Sequence, residues 1–125
     1  MKTVLTFIIA FVLPFIYFRS LFYLAKKVFD KPLLRTKTGL QIHHAHYGVV
    51  CILIGTLVLL FSSKSIIVVI MLGLGLGLLV DESVSLMLMP GNRVLELEVY
   101  RKSLKSTAFV FIGLVLAVFI LAVFC

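Results

Sequence analysis

Three histidines, His43, His44 and His46, fall within four positions of the stretch TGLQIHHAHYG, and the chain has no others. Further on, LLVDESVSL sets two carboxylates, Asp81 and Glu82, side by side within an apolar run. Imidazole nitrogens and carboxylate oxygens together form a donor set that Zn²⁺ or Fe²⁺ accepts. If a helix begins between positions 39 and 42, His43 and His46 share one of its faces, with His44 about 100° around the axis. His43 and His46, completed by Asp81 or Glu82 and by His44, are therefore candidate ligands for a divalent transition metal (Zn or Fe). A metal with an open position activates water for hydrolysis, and Glu82 is then the candidate general base. Two metal-free readings compete with this one. The same groups can hydrogen-bond across two helices as a polar clamp in a non-enzymatic membrane subunit or scaffold. They can also relay protons or cations in a transporter. A relay needs polar residues continuing across the membrane, and the neighbouring runs offer only Cys51 and Thr56.

The elements that position these residues are membrane spans. With 62 % hydrophobic and 14 % charged residues and a mean hydropathy of +1.24, the chain lies outside the range of water-soluble domains. A bilayer core takes about 20 apolar residues per helix. Four runs approach that length, about 4–25, 47–61, 65–89 and 107–125. The expected fold class is an all-α membrane protein, a single-domain four-helix transmembrane bundle. Pro14 within the first run is tolerable in a membrane helix, and Arg19 near its end is expected to snorkel outward. A signal peptide is the competing reading of residues 1–25, but the run is long, Lys2 is its only leading charge and no small-x-small cleavage pattern follows.

Counting charges orients the spans. The first connection carries Lys26, Lys27, Lys31, Arg35 and Lys37 and the third Arg93, Arg101, Lys102 and Lys105, against only Lys2 and Lys64 on the other side. The positive-inside rule then puts both large connections in the cytoplasm, both termini outside and SSKS at 62–65 in a tight external turn, in the cell's inner membrane. The net charge of +7 is explained by this pattern, so nucleic acid is not an implied partner. The implied partners are the lipid bilayer and anionic lipid at the basic loops. Four short spans bury little surface, which leaves room for a homodimer or a larger membrane complex. Measured from Lys64, His46 lies 18 residues before the turn and Asp81 and Glu82 lie 17 and 18 after it. Equal rise along two antiparallel helices brings rings and carboxylates to one depth near the cytoplasmic edge. Cys51 and Cys125 form no disulfide framework.

Two further patterns bear on packing. Gly73 and Gly77 have GxxxG spacing, with Gly75 on the other side, and are expected to admit a close backbone, from span two through Gly48 or Gly55 or from a second protomer. VLELEVY at 94–100 alternates with period two, as does LRTKTG at 34–39, so short cytoplasmic extended segments could pair with Glu96 and Glu98 opposite Arg35 and Lys37. The sequence RTKTGLQIHHAHYG, then GLGLGLLVDES, then LEVY resembles a largely uncharacterised group of small prokaryotic integral membrane proteins with the pattern TGLxxHHxxxG … GxGxxLxxDE … VY. By that resemblance His43, His44, Gly48, Asp81, Glu82 and Tyr100 occupy the motif positions. The chain departs from the group at Ser83 after the acidic pair and at Arg101 after Tyr100. The resemblance marks a site and implies no particular activity.

Overall fold

The computed structural model describes residues 1–25, 43–87 and 93–124, and its elements are all helices. In chain order they are α1 (Lys2–Leu24), α2 (His44–Phe61), α3 (Ile66–Met87), α4 (Arg93–Lys102) and α5 (Leu104–Phe124). All except α4 are long and apolar enough to cross a membrane. Away from water each backbone group must find its partner within the chain, and a continuous helix provides that. The protein is thus a multi-pass four-helix bundle whose apolar outer surface faces lipid.

The expected spans hold to within a few residues, with one consequential shift. The second helix begins at His44, later than the start expected between positions 39 and 42, so His43 lies just outside it and His44 opens its first turn. His43 is the N-cap, extended at φ −96 and ψ 156. The expected tight turn is observed, with only residues 62–65 between α2 and α3. The extended pairing is not. Among the described residues there is no strand, and positions 93–102 are helical. Leucine, glutamate, arginine and lysine favour a helix over that stretch, and an i,i+4 pair, Glu98 to Lys102 at 2.7 Å, follows from it. The proposed partner strand at 34–39 lies outside the described residues.

Helix α3 is the centre of the bundle: no residue from Val68 to Ser85 is exposed. It packs most extensively against α2 and α1 and less against α5. Its glycines divide between two neighbours, which revises the expected pairing. Gly75 faces α2, where a Cβ on it would lie 2.8 Å from the Gly48 carbonyl, and a Cβ on Gly48 would lie 2.6 Å from that of Gly75. Gly73 and Gly77 instead face α1. A Cβ at Gly73 would meet Ala10 at 2.8 Å, and one at Gly77 would collide with the Phe11 carbonyl and press on Pro14. Small residues on both sides of one helix let backbones approach closely where lipid offers no hydrophobic drive between helices. Helix α5 is fixed near its start by buried Thr107 and by Phe111, whose ring sits 4.8 Å from those of Phe11 and Phe15.

Candidate functional site

At the end of the bundle away from Lys64, α1 and α3 finish and α2 and α5 begin, and polar side chains from all five helices meet there. The centre is Asp81, with no exposed surface, paired to Arg19, which is 4 % exposed. Arg19 Nε donates to Asp81 Oδ1 at 2.9 Å and Nη2 to the Asp81 carbonyl at 3.0 Å. The same guanidinium reaches the Tyr100 carbonyl through Nη1, and Ser103 Oγ at 3.3 Å and Thr107 Oγ1 at 3.2 Å through Nη2. It thereby satisfies a carbonyl at the end of α4, where a cation also complements the helix dipole. Its carbon Cζ lies 3.7 Å from the centre of the Tyr100 ring, a cation–π contact. Tyr100 returns to Asp81, its hydroxyl donating to Oδ2 at 2.7 Å. Burial first, and then the charge of Asp81, push the Tyr100 phenol well above the usual tyrosine range, so it stays a hydrogen-bond donor.

The histidines close the outer side of this core. His44 Nε2 is 2.8 Å from Asp81 Oδ2, and His43 Nδ1 is 2.8 Å from Glu82 Oε1. An ionised carboxylate only accepts, so the imidazole nitrogens are the donors in both pairs. A carboxylate that accepts there puts a proton on His44 Nε2. The Nδ1 of His44 faces Glu82 Oε2 at 3.8 Å, and the ring stacks on Phe18 at 4.4 Å. Glu82, 4 % exposed, also accepts the backbone N–H of Ala45 through Oε2 at 2.9 Å. The first turn of α2 contains no acidic residue of its own, so a carboxylate from α3 supplies the anion that a helix N-terminus favours.

The expected meeting of imidazoles and carboxylates at one depth is therefore observed, but with a different membership. His43 and His44 are the rings that reach the carboxylates. His46 does lie beside His43, as expected, its ring stacked at 5.9 Å and its Nδ1 accepting the His43 backbone N–H at 3.1 Å, but it is exposed and bonds neither carboxylate. His43 is the extended N-cap and His46 the third residue of the helix, and the two are joined as a capping box, not as two turns of one helical face. Arg19, expected to snorkel outward, is buried as the main partner of Asp81. The count that aligned the histidines and acids could have found it: Arg19 lies seventeen residues after Lys2 and Asp81 seventeen after Lys64. Ser103 and Thr107 carried no comparable signal. Among the described residues, no group of three or more His, Cys, Asp or Glu side chains is gathered to hold a metal ion. The four acidic and imidazole groups are instead engaged in pairs. Compared with known proteins, the chain matches no protein-family model, no curated protein and no solved structure.

Proposed function

We propose that this chain is a non-enzymatic subunit or scaffold of the cytoplasmic membrane, in which the network around Asp81 is a polar clamp. The observation that carries this reading is the company of Asp81. One fully buried carboxylate is bonded at once to Arg19 of α1, His44 of α2 and Tyr100 of α4. Such a group is costly to bury alone and rigidifies what surrounds it when satisfied. Hydrolysis draws less support, since Glu82, the residue read as a general base, already binds an imidazole and a helix N-terminus. Conduction draws less support too, because α3 has no polar side chain between Ile66 and Val80. In this reading both termini lie outside, and exposed Arg101 and Lys105 stand at the cytoplasmic surface beside anionic lipid. The outward faces of α2 and α5 would carry a homodimer or a larger complex.

The test is Asp81→Asn, which keeps the shape and removes the charge. Unfolding in detergent should show a loss of about 3–5 kcal/mol, the cost of leaving a buried partner charge unpaired. Unchanged stability together with lost ion flux in liposomes would replace the clamp with a transporter.

A further inference from the structure

Helices α4 and α5 are joined by a single residue, Ser103, at which the helical conformation is interrupted. The backbone ladder runs up to it and on from it: the Ser103 N–H donates to the Val99 carbonyl at 2.9 Å, and the Thr107 N–H to the Ser103 carbonyl at 2.8 Å. The Ser103 hydroxyl bonds back to the Tyr100 carbonyl at 2.8 Å, a local side-chain bond of the kind that competes with the ladder and bends a helix. The guanidinium of Arg19 grips this joint from both sides. It donates to the Tyr100 carbonyl on the α4 side, to the Ser103 hydroxyl at the break and to the Thr107 hydroxyl on the α5 side. All three residues are buried, so their polar atoms depend on partners within the protein. The guanidinium is in turn anchored to α3 by its bonds to the Asp81 carboxylate and carbonyl.

We infer that Ser103 is a hinge and Arg19 its latch: the Arg19–Asp81 pair sets the bearing of α4 on α5, and its release lets α4 swing as a unit at the polar end of the bundle. Hinges lie at the ends of elements, where one or two residues absorb the change of backbone angles. Among the described helices, α4 alone is not long and apolar enough to cross a membrane, so it can turn without dragging a span through lipid. The latch depends on shape as well as charge. A planar guanidinium presents several N–H donors at fixed angles and can reach Asp81 and both flanks of the joint at once, whereas a lysine ammonium is a compact point charge that can neutralise Asp81 without bridging the break. This inference rests on the clamp and adds a moving part to it.

The test is a distance measurement across the joint by pulsed electron resonance, with Cys51 and Cys125 replaced by serine. Nitroxide labels go on Glu98 of α4 and Leu121 of α5, both exposed; along an uninterrupted helix these positions would be about 35 Å apart. Wild type should give one narrow distribution. Arg19→Lys, which keeps a charge for Asp81 and removes the fork, should make it roughly twice as wide or add a second peak. Labels at exposed Leu5 and Phe61, toward the opposite ends of α1 and α2, should keep their wild-type distribution and so report an intact bundle. Thr107→Val, which takes away the grip on α5 alone and leaves the ion pair, should also widen the Glu98–Leu121 distribution, and it decides the matter if Arg19→Lys disturbs the Leu5–Phe61 distance. A distribution as narrow as wild type in Arg19→Lys with the bundle intact, or failing that in Thr107→Val, overturns the hinge and leaves the clamp standing. If Asp81→Asn costs no stability but widens the Glu98–Leu121 distribution, the clamp fails and the hinge stands.

Discussion

Asp81 and Glu82 are adjacent on one turn of α3, almost equally buried, and their surroundings differ. Asp81 faces the inside of the bundle, where a guanidinium, a phenol and an imidazole meet it. Glu82 faces the start of α2, where it meets a backbone N–H and imidazole nitrogen alone. The same chemical group is therefore locked into the fold at one position and left short of a permanent cation at the next. What separates them is the angle of one residue around a helix, about 100°, which directs one carboxylate at α1 and the other at α2.

The largest expected effect breaks the inner half of this comparison. Arg19→Met removes the permanent cation and strands Asp81, which should cost about 3–5 kcal/mol in detergent unfolding. A loss below about 1 kcal/mol would place Asp81 on the same footing as Glu82. Tyr100→Phe sharpens the contrast, since it deletes one bond to Asp81 and leaves Glu82 untouched; about 1–3 kcal/mol is expected. It also carries a pH signature. The folded phenol holds its proton more tightly than an unfolded one. Its contribution is therefore complete below the ordinary tyrosine range and is lost as pH rises beyond it. The wild-type protein should lose stability more steeply than Tyr100→Phe above about pH 10. The smallest effect belongs to His46→Ala, within about 0.5 kcal/mol, because the ring is exposed and touches neither carboxylate.

Much of this was legible in the sequence. Four spans follow from runs that must bury their backbone polar groups, and the depth match of the histidine cluster, counted at His46, with Asp81 and Glu82 follows from a constant helical rise on both sides of Lys64. The direction of each side chain around its helix did not follow. It depends on where α2 begins, and the N-cap conformation at His43 moved His44 into contact and His46 out of it. The glycines were readable as packing residues, but assigning Gly73 and Gly77 to α1 required knowing that α3 is surrounded. Arg19 was misread because snorkelling and pairing are both open to an arginine near a helix end, and only the arrival of Asp81 decides between them. In VLELEVY, an alternation of period two over seven residues was too short to outweigh strong helix formers.

The position of Arg19 in the first span also bears on how the protein is made. Its carboxylate is on the third span, and two of its hydroxyl and carbonyl partners are on Ser103 and Tyr100, so the guanidinium emerges long before the groups that will hold it. Until α3 arrives, an arginine near the end of an isolated α1 can reach headgroups and water, and outward extension is its natural state at that stage. Entry of the later helices draws it inward. The transfer of one cation from the membrane surface to Asp81 thus marks the moment at which separate hydrophobic segments become a single protein.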